Sequence, residues 1–316
     1  MTAASVPRRD AAWYTPADLP EEVTGFDDAM DGGLPVGAAG KVGLLELTLA
    51  PSGGATRVVR QYQRAPLHLY RPIHLDAGRP DMAFVFVQQS GDGLVQGDRY
   101  RIDIDCAAGS AAHITTQAAT NVFGARRNFA TQMVNLRADA GSVVEYLPDP
   151  LVPFRGARLF QRTCVTADRS STVILGETLL PGRVAHGERH VYDVICGETE
   201  VRRPDGTLLF ADVLRLNPAG GDDLQSLGLL GGHDVVATLY VVTAKMAPSA
   251  IVSVLRDVLG ESRGVLAGAS ELPNHCGAVA RVLGPTSKVV KGAMRAAWNA
   301  ARVALLGVPA PDLRKG

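Results

Sequence analysis

Two neighbouring segments are the most informative in this chain: GDGLVQGDRY at residues 91–100 and HITTQAATNVF at residues 113–123. The first places glycine-containing turns and the acid Asp98 directly before a strand-like stretch. It lacks the GxxxxGK[ST] spacing of a phosphate-binding loop, and it does not open a helix as a dinucleotide-binding fingerprint does. The pattern therefore indicates tight turns between short strands and not a nucleotide site.

Short strand-like segments separated by turn residues continue along most of the chain. Residues 100–104 alternate with a period of two, so that Arg101 and Asp103 share one face and apolar residues the other. Residues 204–207 (PDGT) predict a hairpin turn, because glycine accepts the positive φ that such a turn requires. These features favour one continuous antiparallel sheet system over βαβ units. The predicted strands are 42–49, 56–63, 82–88, 99–105, 111–116, 132–138, 142–147, 158–165, 172–180, 190–195, 198–202, 208–216 and 234–242.

The two ends of the chain differ from this β-rich body. Residues 1–40 are rich in Pro, Gly, Ala and Asp, which predicts a poorly ordered leader with a short acidic turn at 21–28. Residues 41–316 are expected to form a single β-rich domain. Near its end, apolar residues at helical spacing predict helices at 250–260 and 287–306.

The helix predicted at 287–306 has two contrasting faces, while the residues before it read as two short strands. Valines and alanines form its apolar face. The opposite face is basic and consists of Lys288, Lys291, Arg295 and Arg302. The short strands predicted between the helices are 262–270 and 279–283.

Composition limits the function classes. The chain has 316 residues, 46% of them hydrophobic, and 32 basic side chains balance 32 acidic ones. A net charge of zero lacks the electrostatic footprint of a nucleic-acid-binding protein and favours association with other proteins. The N-terminus has no apolar signal region, and no apolar run approaches the roughly 18 residues of a membrane span. A cytoplasmic location is expected.

Cysteine and histidine usage argues against a fixed metal site. The four cysteines are far apart without a CxxC pair, so buried reduced thiols are expected. The seven histidines include no HExxH helix, and the chain has no GxSxG nucleophile motif. The cysteines are Cys106, Cys164, Cys196 and Cys276.

Several polar residues allow both a structural and a functional interpretation. Asp98 could cap its own turn. The threonines of 115–120 could pack closely or line a polar passage. Glu177, on an apolar strand, could form an ion pair with Arg183 or Arg189, or be buried for another purpose. Glu145 begins a proline-rich, rigid segment of the kind that often carries binding function, although it could simply face solvent.

Four segments, in this order and spacing, resemble the UreD/UreH family of urease accessory proteins. They are GDGLVQGDRY, TTQAATNVF at 115–123, EYLPDPLVPFRGARL at 145–159 and GETLLPGRVAHGE at 176–188. The resemblance extends from about residue 48 to residue 306. Departures from the family pattern occur at Gln96, Asn121 and Asp149-Pro150.

The resemblance implies a fold and a role. The fold would be mainly β, an irregular β-helix-like stack of short strands with two helices near the C-terminus. The role would be that of a non-catalytic accessory protein which binds the urease apoprotein, the partner UreF and, through UreF, the GTPase UreG. No tightly bound cofactor is implied. Nickel would pass transiently through an internal polar passage to the urease active site.

The resemblance also implies which residues line that passage. Matched motif by motif, they are Asp98, Thr120 and Glu177, with Asp81, Glu145 and Asp212 as secondary positions. Oxygen ligands of this kind suit transit, because an ion must be bound strongly enough to enter and weakly enough to leave. Replacing Asp98 by Ala is then expected to leave folding intact and to lower urease activation.

Other interpretations remain at this point. The helix at 287–306 is either a docking surface for UreF or plain core packing. The protein could be a purely structural assembly chaperone that does not conduct nickel. It could also be a carbohydrate-active enzyme with paired carboxylates, which would need two acids in an open cleft.

Overall fold

The computed structural model describes residues 8, 13–26 and 40–313. Strands dominate, and two of the three α-helices lie near the C-terminus. The elements are α1 (Glu21–Thr24), β1 (Val42–Ser52), β2 (Ala55–Arg64), β3 (Leu67–Leu69), β4 (Ala83–Gln89), β5 (Arg99–Cys106), β6 (Ala111–Thr116), β7 (Thr120–Val122), β8 (Ala130–Ala138), β9 (Val143–Tyr146), β10 (Leu151–Pro153), β11 (Arg158–Ala167), β12 (Thr172–Leu179), β13 (Val194–Arg202), β14 (Leu208–Leu216), β15 (Val235–Thr243), α2 (Pro248–Gly260), β16 (Leu266–Glu271), β17 (Gly277–Gly284) and α3 (Ser287–Leu306).

The strands form two sheets that face each other in a solenoid-like stack of about four turns. The seven-stranded sheet has the order β14-β13-β11-β8-β5-β1-β2, and the ten-stranded sheet follows β16-β17-β15-β12-β9-β6-β4-β3, with β7 and β10 beside this path. The expected mainly β, β-helix-like fold is confirmed.

The expectation of one continuous antiparallel sheet system is wrong. From β4 to β13 the chain crosses repeatedly between the sheets, so the neighbours β1, β5, β8, β11 and β13 are parallel, as are β4, β6, β9 and β12. Each strand pairs with the strand one solenoid turn away, which runs in the same direction. Parallel pairing therefore arises here without crossover helices.

The main core fills the space between the sheets. In β5, Tyr100, Ile102 and Ile104 are buried in this core, whereas Arg101 and Asp103 form an ion pair on the outer face. The period-two interpretation of this strand is confirmed. The same alternation orients the polar residues discussed below, because a residue two positions along a strand returns to the same face.

The structure joins two predicted strands into one, confirms the predicted turn and adds three short strands. The predicted strands 190–195 and 198–202 are replaced by one strand, β13, which begins only at Val194. It is continuous because Gly197 stays in the ladder opposite Gln161 and Leu214. The predicted hairpin turn is confirmed: the Arg203 amide donates to the Thr207 carbonyl over 2.8 Å. Three strands of three residues each, β3, β7 and β10, were too short to predict.

Helices α2 and α3 contact each other and pack against the ten-stranded sheet. The bounds predicted for α3 are confirmed. Its basic face needs a correction at Arg302, which is fully buried. Arg302 donates to Glu145 over 2.9 Å and pairs with Asp76, and Glu145 also contacts His113 Nδ1 at 2.8 Å. We call these four side chains the Arg302 cluster.

Residues 13–26 lie on the outer face of the seven-stranded sheet. The guanidinium of Arg101 stacks 3.9 Å from the centre of the Trp13 ring, and Val23 is buried against Phe160 and Val194. This stretch belongs to the segment 1–40, for which the sequence predicts a poorly ordered leader. Residues 1–7, 9–12 and 27–39 lie outside the described part of the chain.

The cysteines and helices bear on two further expectations. The four cysteines are free thiols; Cys106, Cys196 and Cys276 are buried, and Cys164 is half-buried. Burial raises the pKa of Cys106 and of Cys196 to about 12, which keeps these thiols protonated at neutral pH. Among the described residues, no helix combines the length and the apolar content needed to cross a membrane.

Candidate functional site

The ten-stranded sheet is interrupted at two adjacent places. Residues 117–119 separate β6 from β7, and residues 147–150 separate β9 from β10. Because β6 pairs with β9 and β7 pairs with β10, the two interruptions lie side by side. Pro148 and Pro150 have no amide hydrogen to donate to a ladder, so the segment 147–150 cannot continue as a regular strand. The result is a local gap in the sheet.

A cavity of about 70 Å³ borders this gap and extends between the two sheets. Its volume exceeds the roughly 10–15 Å³ that one water molecule requires. We call it the inter-sheet cavity. The lining side chains that matter below are Thr120, Gln161, Glu177, Asp212, Tyr240 and Arg281.

Two carboxylates from opposite sheets face this cavity. Glu177 accepts a hydrogen bond from the Thr199 hydroxyl over 2.7 Å, and burial raises the pKa of Glu177 above its ordinary 4.5. Asp212 accepts from the Tyr240 hydroxyl over 2.7 Å and pairs with Arg281. Burial raises the pKa of Asp212, but the hydrogen bonds from Arg281 and Tyr240 outweigh burial, and the pKa lies below its usual value. One acid therefore resists ionisation while the other is held as an anion.

Three polar side chains, followed by a glycine, form a row across the seven-stranded sheet toward these acids. Tyr100, Gln132, Gln161 and Gly197 are successive register partners on β5, β8, β11 and β13. Gln161 is buried, and its Oε1 has no hydrogen-bond partner among the described residues. Buried polar atoms are almost always hydrogen-bonded, so an acceptor left open at a cavity wall indicates a polar occupant such as water.

A cleft on the outer face of the ten-stranded sheet also reaches the gap in the sheet. A cleft of about 650 Å³ lies between α3 and the outer face of the ten-stranded sheet; we call it the outer cleft. Pro148, Asp149 and Thr178 border both the outer cleft and the inter-sheet cavity. The Asp149 amide donates to the Thr116 hydroxyl over 2.9 Å, which fixes the loop at the junction.

Three of the six predicted passage residues meet in the inter-sheet cavity: Thr120, Glu177 and Asp212. Asp98 does not line it. Its carboxylate accepts from the amides of Lys41 over 2.7 Å and Val95 over 3.0 Å, and from the Tyr100 hydroxyl over 3.1 Å. These bonds fit the interpretation in which Asp98 caps its own turn.

The other two predicted residues also lie elsewhere. Glu145 is fully buried within the Arg302 cluster and does not face solvent. Asp81 forms an ion pair with Arg79 at 2.7 Å, and 41% of its side chain is exposed. The hydrogen bond from Arg79 lowers the pKa of Asp81. Neither acid borders the inter-sheet cavity.

The predicted ion pairs of Glu177 are wrong. Arg183 pairs with Glu188 at 2.6 Å, and Arg189 pairs with Asp234 at 2.6 Å. Each arginine therefore pairs with an acid other than Glu177. The hydrogen-bond partner of Glu177 is instead the hydroxyl of Thr199, on the facing sheet, and not an arginine.

Comparisons with known proteins identify the family of this chain. A model of the family described as UreD urease accessory protein matches residues 41–315. The chain belongs to the UreD family. A urease accessory protein UreD 2 from Streptomyces griseus subsp. griseus is 45% identical over 280 residues, which cover 88% of this chain and 95% of that relative. A UreD from Cenarchaeum symbiosum is 34% identical over 90% of this chain and 99% of its own length. A UreD 2 from Brucella suis biovar 1 is 34% identical over 88% and 93%.

Sequence reasoning missed several cavity residues of this UreD family member, and Asp149 and Arg281 show why. Asp149 stands between two prolines in a rigid loop, which was a usable signal for a polar group held in place. Arg281 gave no such signal, because its partner Asp212 lies 69 positions away on the other sheet.

The cavity does not resemble a site that retains a metal. No three His, Cys, Asp or Glu side chains in the described part of this UreD family member are grouped so that they could hold an ion. The cavity instead offers the carboxylates of Asp149, Glu177 and Asp212 together with hydroxyls and amide oxygens. Such hard oxygen donors suit weak contact with a hydrated divalent cation better than firm capture.

Proposed function

We propose that this UreD family member is a non-catalytic urease maturation factor that passes nickel through its inter-sheet cavity. In this proposal it binds the urease apoprotein and UreF, and it meets the GTPase UreG through UreF. Membership of a family of urease accessory proteins supports the role in urease maturation. The observation that carries the transfer step is the pair Glu177 and Asp212, which face a polar cavity beside a gap in the sheet.

The chemistry of the cavity suits an ion in transit. A divalent cation that keeps most of its water needs acceptors that replace little of its hydration shell. Glu177 resists ionisation through burial, and the pairing of Asp212 with Arg281 neutralises that acid, so neither acts as a strong trap. Binding that is favourable enough for entry and weak enough for exit is the requirement for conduction.

The surface of α3 supports a place for UreF. Its apolar side, with Val290, Ala293 and Ala297, packs in the core, as the core-packing interpretation requires. Its other side exposes Lys288, Lys291 and Arg295 beside the outer cleft. We place the UreF contact on this exposed basic side, next to the entrance of the passage.

A purely structural assembly chaperone is the second candidate. It is favoured by the fact that the cavity acids already have protein partners, namely Thr199, Tyr240 and Arg281. In that case the polar interior only stabilises the stack, and neutral substitutions that preserve binding have no effect on nickel delivery.

Glu177→Gln distinguishes the two functions. Tagged wild type and variant are used to pull down urease apoprotein and UreF, and urease activity and nickel content are read in the same strain at limiting nickel. Glu200→Gln is the matched control, because Glu200 lies on β13 next to Thr199 but pairs with Arg202 away from the cavity.

The transfer function predicts retained binding with urease activation lowered about tenfold in Glu177→Gln, the factor given by about 1.4 kcal/mol of added barrier. Normal activation by Glu177→Gln would support the structural chaperone instead. If the wild type binds neither partner, the maturation role itself is wrong.

A further inference from the structure

Arg281 stands where the inter-sheet cavity meets the surface. It lines the cavity, yet 54% of its side chain is exposed, whereas 23% of the side chain of its partner Asp212 is exposed. Asp212 lies on β14, the last strand of the seven-stranded sheet. The pair therefore lies at an edge of the seven-stranded sheet, where the cavity meets the surface.

Register places Arg281 in line with Glu177. On the ten-stranded sheet, Glu177 lies opposite Thr238, and Thr238 lies opposite Arg281. On the facing sheet, Thr199 lies opposite Asp212. Arg281 thus reaches from the ten-stranded sheet to Asp212 on the facing sheet, and its charge lies near both Asp212 and Glu177.

A guanidinium in this position is positively charged, as an incoming metal cation would be, and it pairs with the carboxylate that such a cation would contact, Asp212. Arginine stays protonated at every physiological pH, so Asp212 always has a cation available within the protein. A divalent cation that entered the cavity would have to displace this guanidinium before it could contact Asp212. The exposed side of Arg281 gives the displaced side chain somewhere to go.

We propose that Arg281 is an internal counter-ion that competes with an entering divalent cation for Asp212 and thereby limits how long the cavity holds the cation. The proposal rests on the proposed nickel transfer and adds a regulating residue to it. A half-exposed ion pair is weak enough to exchange, unlike a fully buried one. Once Arg281 moves aside, Asp212 and the nearby open acceptor of Gln161 present oxygen ligands to the cation.

Nickel binding to the full-length chain tests this inference directly. Isothermal titration with Ni²⁺ alone is performed on the wild type, Arg281→Gln and Arg281→Lys. Arg202→Gln is the control, because Arg202 also pairs with a partly exposed acid on a strand but does not line the cavity. Thermal unfolding of each variant verifies that it is folded.

We expect Arg281→Gln to bind Ni²⁺ about fivefold more tightly than the wild type, because removing a weak competing pair raises the competent fraction of the site. Arg281→Lys keeps a cation but on a shorter, more mobile side chain, so a smaller gain is expected. This variant provides the test if Arg281→Gln does not fold. Adding Asp212→Asn to Arg281→Gln should abolish the gain.

An affinity within twofold of the wild type in both Arg281 variants, or an equal gain in the Arg202→Gln control, would overturn the inference and leave Arg281 as a structural clasp between the sheets. The absence of measurable Ni²⁺ binding in all variants would overturn it as well. The result is separable from the proposed function: normal urease activation by Glu177→Gln removes nickel transfer, whereas the effect of Arg281 on Ni²⁺ affinity is measured without urease.

Discussion

The Arg302 cluster and the inter-sheet cavity both bring an arginine together with acids, yet they differ in access. Arg302 and Glu145 have no exposed side-chain surface, and both Arg302 and His113 contact the Glu145 carboxylate. In the cavity, Arg281 is half exposed, and Glu177 has a single hydroxyl donor beside open space. Similar groups thus form a locked structural centre in the Arg302 cluster and line an accessible polar space in the inter-sheet cavity.

The difference in access follows from the position of each arginine in the fold. Arg302 projects from α3, which covers the ten-stranded sheet, so its charge is sealed against Asp76 and Glu145. Arg281 lies on β17, next to the edge strand of the ten-stranded sheet, and its partner Asp212 lies on an edge strand of the seven-stranded sheet. A buried charge without a partner costs several kcal/mol, so the first region tolerates no loss of a partner. The second region can exchange its partner for water or a cation.

The largest expected effect is on stability, from Arg302→Met. This change leaves Glu145 and Asp76 as buried acids without their cation, so we expect the free energy of unfolding to fall by about 3–5 kcal/mol. Urea titration followed by circular dichroism measures it. Arg295→Met, on the exposed side of the same helix, is the control and should change stability little. A loss below 1 kcal/mol for Arg302→Met would show that the cluster is not the locked centre described here.

Asp98 sharpens the comparison, because it is a buried acid outside both regions. Asp98→Asn retains the shape but weakens four hydrogen bonds, three from backbone amides and one from the Tyr100 hydroxyl. We expect a loss of about 1–3 kcal/mol, the usual cost of leaving buried donors unpaired. Thermal unfolding is the measurement. Unchanged stability together with reduced urease activation would return Asp98 to the passage, as the family resemblance implies.

The smallest effect concerns the pH dependence of stability at Glu177. Because burial raises its pKa in the folded state above 4.5, the folded protein binds more protons than the unfolded chain between 4.5 and that raised pKa. Stability contributed by this group therefore falls as pH rises through this window. Glu177→Gln removes the penalty, so its melting temperature relative to the wild type should increase from pH 4.5 toward neutral pH. A difference that is constant or shrinks with pH would contradict the assignment.

Local sequence patterns predicted much of the secondary structure. The period-two alternation at residues 100–104 and the 3.6-residue spacing of α3 are local properties, and the structure reproduces both. The sheet arrangement was not predictable in the same way. Strand spacing reports how often the chain turns but not whether the next strand joins the same sheet, so a parallel solenoid was taken for an antiparallel system.

The candidate site depended on distant contacts. Family resemblance, and not periodicity, indicated Thr120, Glu177 and Asp212, which the fold brings together. Arg302 was assigned to the basic face of the helix because its spacing matches that of Lys288 and Lys291. Its partners Glu145 and Asp76 are 157 and 226 positions away. Helical spacing states which side a residue occupies but not whether another part of the chain covers that side.

Filling the inter-sheet cavity tests the central claim most directly, because it changes no charge. Gly197 lines the cavity on β13, and a Cβ placed there meets no atom within 4 Å. Gly268→Leu, on the exposed strand β16 with the same free space, is the control. A glycine within a strand gains stability from a side chain, so both variants should remain folded. The account predicts that Gly197→Leu still binds urease apoprotein and UreF but loses urease activation at limiting nickel, while Gly268→Leu activates normally. Full activation by Gly197→Leu would contradict passage of nickel through this cavity.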